Sequence, residues 1–206
     1  MHQMNQNQLP PSHYSPDLKP HYLEDICTLI LEVTTKALND ASTDYDTAWT
    51  RGTLSYGRIQ GLFSQLHLDP EKPWFTLANA TMDFTARIGD TLVQVVMDNP
   101  YQIKKNHRLK LNNIELNQLQ LNFEHPSESD SVLTWRLFVD KDNNDEIPAL
   151  HISLIGFDIN MNKICVWHFD DTAVIPMKSQ DLAAEIEIED APITLKDKTD
   201  KIYKTK

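Results

Sequence analysis

The sequence predicts an α+β fold, an N-terminal helical hairpin packed on an antiparallel β-sheet of roughly five to seven strands. Three observations predict it. Apolar residues between Tyr22 and Leu66 recur at three- and four-residue steps, the period of a helix face. From Trp74 onward the period shifts toward two, the period of a strand. The strand-like runs then follow one another instead of alternating with helices, which favours antiparallel neighbours over βαβ units.

The first helix is read from Leu23, Ile26, Cys27, Ile30, Val33, Ala37 and Leu38, which share one face. Asn39, Asp40, Ser42 and Asp44 supply turn and capping chemistry. A second helix is expected from near Asp46 to Leu66, with Leu54, Ile59, Leu62, Phe63 and Leu66 as its apolar stripe. Asp69 to Pro73 ends the pair.

Met82, Phe84, Ala86 and Ile88 alternate with polar residues, and Gly89-Asp90 suits a two-residue type II′ turn because glycine supplies its positive φ. Leu92 to Met97 returns as the partner strand. A helix across Trp74 to Ile88 is the competing reading. Leu109 to Phe123 repeats Leu/Ile-x-Leu every five residues, which matches neither regular period. Strand segments broken near Asn112-Asn113 and Asn117-Gln118 are expected there, since three short units cannot stack a solenoid core. Three further strands are expected: one through Leu133, Trp135, Leu137 and Val139, one from Pro148 to about Asp158, and one from Ile164 to Phe169. Glu185 to Asp190 could add an edge strand. Organised this way, residues 1–20 form an extended or mobile arm rich in proline, 21–175 a single α+β domain, and 176–206 a charged tail.

The chain of 206 residues suits one domain with tails. Its net charge of −11 is uneven: residues 1–123 carry 13 acids against 10 bases, and 124–206 carry 17 against 9. Such a surface repels phosphate backbones and anionic headgroups, so direct nucleic-acid or membrane binding is not expected, whereas a basic protein partner would be attracted. The polar start and the lack of any apolar run of roughly 18 residues give no leader or spanning helix to read, and a cytoplasmic location is expected. Cys27 and Cys165 stand in apolar surroundings and are read as free thiols, with a disulfide as the alternative.

Two constellations could carry function. The first is the segment from Tyr45 to Gly61, which gathers Trp49, Arg51, Tyr56 and Arg58 with Gly52, Gly57 and Gly61. Glycine inside a helix costs about 1 kcal/mol relative to alanine, so three in one helix ask for a close approach by another helix, the sheet or a ligand. Arg51 and Arg58 could hold an anion or a partner's carboxylates, or simply pair with nearby acids such as Asp44 and Asp46. The second is a polar group on the hairpin near Asp158 to Lys163. A two-residue turn at Met161-Asn162 would pair Ser153 with Asp170 and Ile155 with His168, placing His151, Ser153, His168 and Asp170 on one face. These are raw materials for a metal site or a nucleophile, and equally half-exposed polar residues at a strand end; an odd-length loop would send the two strands' polar groups to opposite faces. Asp140-x-Asp142-x-Asn144 resembles the opening of a calcium loop but lacks its glycine and closing glutamate, so an acidic hairpin is expected. Basic residues Lys104, Lys105, His107 and Arg108 read as a solvated turn.

No catalytic signature, resident metal or cofactor motif stands out. The functional expectation is a non-enzymatic inhibitor or adaptor that binds a basic partner. Two alternatives stay open: a binder of a small anionic ligand in a pocket between helix and sheet, and a metal-dependent or hydrolytic enzyme built on the His/Ser/Asp group.

Overall fold

The computed structural model describes residues 9–122, 134–142, 149–171 and 173–174. Helix α1 (Pro11–Tyr14) is one turn with proline at its start, where the missing amide costs nothing. Helices α2 (Pro20–Asp40) and α3 (Ala48–His67) form the expected hairpin. Thr47 caps α3 by accepting the Thr50 amide at 3.2 Å. Strands β1 (Phe75–Asn79), β2 (Thr85–Ile88) and β3 (Thr91–Val96) form a meander. Helix α4 (Asn113–Asn122) precedes β4 (Thr134–Asp142), β5 (Ala149–Phe157), β6 (Lys163–His168) and the two-residue β7 (Ala173–Val174).

Among the described residues one seven-stranded sheet runs β1-β2-β3-β4-β5-β6, with β7 pairing the start of β5. The sheet is mostly antiparallel, as expected, with one parallel pairing, β3 to β4. A parallel neighbour needs a long connection between its strands, and α4 lies in the described part of this one.

The two faces of the sheet are covered differently. Ala86, Ile88, Val93, Val95, Leu137 and Leu154 point toward α2 and α3 and meet Leu23, Ile26, Cys27, Ile30, Ile59 and Phe63 in the main core. Each of these aliphatic or aromatic side chains adds roughly 1.5–3 kcal/mol on burial, so this layer dominates stability. The opposite face carries a smaller cluster of Val96, Phe138, Ile155 and Phe157 roofed by Leu109 of the crossover.

The Gly89-Asp90 turn forms as expected, with Gly89 at φ +56° and Ile88 paired with Thr91. The helical alternative for 74–88 is wrong: β1 and β2 occupy that stretch, and Met82 lies outside them and is exposed. The strand reading of 109–123 is also overturned, because its described part contains α4. The physical reason is a reciprocal cap at Asn112 and Glu115. Asn112 Oδ1 accepts the amides of Ile114 and Glu115, and Glu115 Oε2 accepts the Asn112 amide at 2.8 Å.

The arm is tied down from Leu9 onward. Cys165 donates its thiol to the Leu9 carbonyl, Leu18 is fully buried, and Asp17 Oδ2 accepts the Asp90 amide at 2.8 Å. Leu133, the calcium-like loop beyond Asp142, the Glu185–Asp190 strand and the 176–206 tail lie outside the described residues. Among the described residues no helix is long and apolar enough to cross a membrane.

Candidate functional site

The α2–α3 corner concentrates exposed aromatic surface. Tyr45, in the turn before α3, is 94% exposed, and Trp49, in the first turn of α3, is 77% exposed. Around them the charges are largely matched. Arg58 pairs with Asp40 at 2.6 Å, and Arg51 Nη1 donates to the Asp46 carbonyl at 2.8 Å. Arg58 thus pairs with a carboxylate, that of Asp40 and not of Asp44 or Asp46, whereas Arg51 bonds Asp46 at its backbone carbonyl. The Asp46 carboxyl accepts the Thr43 hydroxyl at 2.6 Å and the Thr43 amide at 2.9 Å, and these bonds hold its pKa below the ordinary carboxylate value. Partial burial, and then the neighbouring Arg51, hold the Lys141 ammonium below its ordinary range. Asp44 is exposed.

Tyr56 is turned away from this corner. Its hydroxyl donates to the Met82 carbonyl at 2.9 Å, its ring packs on Phe84, and Arg108 stacks over it while pairing with Asp83. Burial pushes its phenol pKa upward. The glycines correct the expectation of close approach. A Cβ built at Gly52, Gly57 or Gly61 would meet nothing within 4 Å, and Gly57 and Gly61 face solvent. At 3.6 residues per turn, Gly57 and Gly61 stand roughly 80° and 120° around α3 from Trp49, so the three do not share one line.

Between the helices and the sheet, side chains fill the space. The void lined by Leu23, Cys27, Phe63, Phe75, Val93 and Leu154 measures ≈ 10 Å³. That is about one water molecule's room, between wholly apolar walls. Cys27, buried there, has its thiol pKa driven up by desolvation, and burial pushes Cys165 up to about 11, so both are poor nucleophiles.

The polar hairpin group assembles in a different register from the one expected. Ser153 lies opposite His168, not Asp170, and Ile155 lies opposite Val166. The connecting loop spans 158–162 and is odd in length, which alone would send His168 to the helix-facing side. A bulge between Gly156 and Phe157 absorbs the extra residue and restores the shared face. Ser153 Oγ and His168 Nδ1 are 2.9 Å apart, and Tyr101 of the crossover reaches His168 Nε2 at 3.2 Å. His151 sits two positions along β5, opposite Asp140, whose carboxylate accepts Asn99 Nδ2 at 2.7 Å. Asp170 falls beyond β6 and is exposed. Ser153 itself is only 4% exposed, and its hydroxyl is engaged by the His168 ring. Among the described residues no set of three or more His, Cys, Asp or Glu side chains could hold a metal ion. The group pins residues 99–101 to the sheet.

Sequence reasoning overlooked the most highly organised polar site. Arg136 on β4 is fully buried and forms a two-pronged pair with Glu115. Its remaining donors reach the carbonyls of Arg108, Leu109, Lys110 and Trp135. The available signal was Asn112-x-x-Glu115, a capping-box spacing. This network anchors the crossover; with every donor engaged it offers no group to a ligand.

No protein-family model, no curated protein and no solved structure matches the chain.

Proposed function

We propose that the protein is a non-enzymatic inhibitor or adaptor that docks on a basic protein partner through the α2–α3 corner. The observation carrying this reading is the pair Tyr45 and Trp49, 94% and 77% exposed, on a chain of net charge −11. Tyrosine and tryptophan are among the side chains that most often anchor interfaces, and two of them held in water close in sequence have much apolar area to gain by docking. The overall negative charge steers a basic partner toward this surface and sets the association rate, while the aromatic pair supplies affinity once in contact. Farther along α3, the exposed Gly57 and Gly61 give a partner's backbone room to lie close to the helix.

The test is affinity capture from native lysate across a salt series, with partners and stoichiometry read by mass spectrometry. The reading expects one basic protein in fixed ratio, retained at low salt and released at high salt. A clean bait, or a partner that is acidic or insensitive to salt, overturns it.

A further inference from the structure

On the sheet face away from α2 and α3, β5, β6 and the crossover bring a hydroxyl, an imidazole and a phenol into one row. The Phe169 amide donates to the Ile152 carbonyl at 3.0 Å, so these two residues are a hydrogen-bonded pair of the ladder. Ser153 and His168, next along, are therefore a non-hydrogen-bonded pair, in which the side chains stand closer together. Ser153 Oγ lies 2.9 Å from His168 Nδ1, and His168 Nε2 lies 3.2 Å from the Tyr101 hydroxyl.

Tyr101 is itself held in place. Its amide donates to Asn99 Oδ1 at 2.7 Å, and the Lys163 ammonium stands 5.0 Å from its ring centroid. Lys163 in turn donates to the Pro100 carbonyl, and the Tyr101 and His168 rings lie within 26° of parallel. The imidazole is thus oriented from the side opposite the serine. A hydroxyl bonded to a base whose second nitrogen is fixed by a third group is the arrangement that activates a serine as a nucleophile. The Oγ–Nδ1 bond is only partly buried, and the row ends in solvent, with His168 exposed and Tyr101 59% exposed.

We infer that Ser153 is an acyl acceptor, with His168 as its general base and Tyr101 as the positioning residue. The Tyr101 oxygen accepts the Nε2 proton, which leaves Nδ1 as the basic nitrogen facing the serine. As Oγ adds to an acyl carbon, its proton passes to Nδ1. The bond from that carbon to the leaving oxygen or sulfur then breaks, and Nδ1 gives the proton to the leaving group. The product is an ester on Ser153, one acyl group per chain. A serine 4% exposed admits a small acyl group, and a site that supplies a base calls for a good leaving group, an aryl ester or a thioester. The site lies across the sheet from the α2–α3 corner and does not depend on partner docking there.

The probe is p-nitrophenyl acetate, incubated with the full-length chain, with acetyl groups located by peptide mass mapping. The expected result is one acetyl group on Ser153 and release of a matching amount of p-nitrophenolate. His168→Gln keeps a hydrogen-bonding side chain beside Ser153 but cannot take its proton, so acetylation should slow about a hundredfold or more. Tyr101→Phe keeps the ring and removes the acceptor of the Nε2 proton. It should slow the reaction about tenfold or more and shift its pH profile, with the melting temperature unchanged. Acetyl groups on lysines or on Tyr101 but not on Ser153 overturn the inference. So does acetylation of Ser153 at an unchanged rate in His168→Gln, because the hydroxyl would then react without the base.

Discussion

Arg136 and Glu115 face each other inside the protein as a two-pronged ion pair, Nη1 to Oε1 at 2.5 Å and Nη2 to Oε2 at 2.9 Å. Their side chains are 0% and 3% exposed. Between them they fasten the first turn of α4 and residues 108–110 to the middle of the sheet.

Breaking the pair from one side strands a buried charge. Glu115→Ala should therefore cost about 3–5 kcal/mol in urea unfolding. Replacing both partners, as Arg136→Met with Glu115→Leu, should cost clearly less than the two single changes summed, because no charge is left unpaired. Additive losses would show that the two side chains act independently.

Gly89 is constrained twice. Its φ of +56° disfavours any side chain, and a Cβ there would collide with the Asp17 carboxyl that receives the Asp90 amide. Gly89→Ala should destabilise by roughly 1–3 kcal/mol. Pairing it with Asp17→Gly should recover the collision part but not the conformational part, so the double variant should be less destabilised than additivity predicts.

The solvent-facing glycines of α3 give the opposite sign. With open space around Gly57 and Gly61, Gly57→Ala and Gly61→Ala should each stabilise the fold by about 0.5–1 kcal/mol. Thermal unfolding checks this. A variant that melts higher but loses its captured partner would mark the bare helix face as part of the contact.

The Asp46 carboxyl is held below its ordinary value, first by the Thr43 hydroxyl and then by the Thr43 amide. A lowered folded-state pKa means that the stabilising contribution is present above the unfolded value near pH 4 and fades as pH falls through the folded value. Thr43→Ala should raise the Asp46 pKa in a carboxyl NMR titration and narrow that acid-side contribution. An unmoved titration would show that the Thr43 hydroxyl does not hold the charge.

The helical hairpin was legible because Ile26, Ile30, Ile59 and Phe63 repeat at helical steps and all bury on one side. Gly89 marked the β2–β3 turn for the same local reason. The crossover was not legible from its apolar pattern. Leu109 is buried as the roof of the smaller core, while Leu116 is 40% exposed, so the leucines of 109–116 do not share one apolar face. What organises α4 is polar, the Asn112 and Glu115 cap closed by an arginine twenty-one residues on. That partner cannot be read from spacing. The Ser153 and His168 pairing depended on a bulge that no local residue pattern announced, and with it went the expected place of Asp170. Among the residues of the glycine-rich segment, Trp49 is exposed and Tyr56 is committed to packing, a distinction that only the position of Phe84 and Met82 settles.

The most direct measurement of the central claim is the affinity of the captured basic partner for the wild-type chain and for a Tyr45→Ala/Trp49→Ala variant, at matched salt. The account predicts a loss of about thirtyfold or more, the scale of interface hot spots of roughly 2 kcal/mol, with an unchanged melting temperature and the salt dependence of binding retained. Equal affinity in the two proteins would contradict it and remove the α2–α3 corner from the interface.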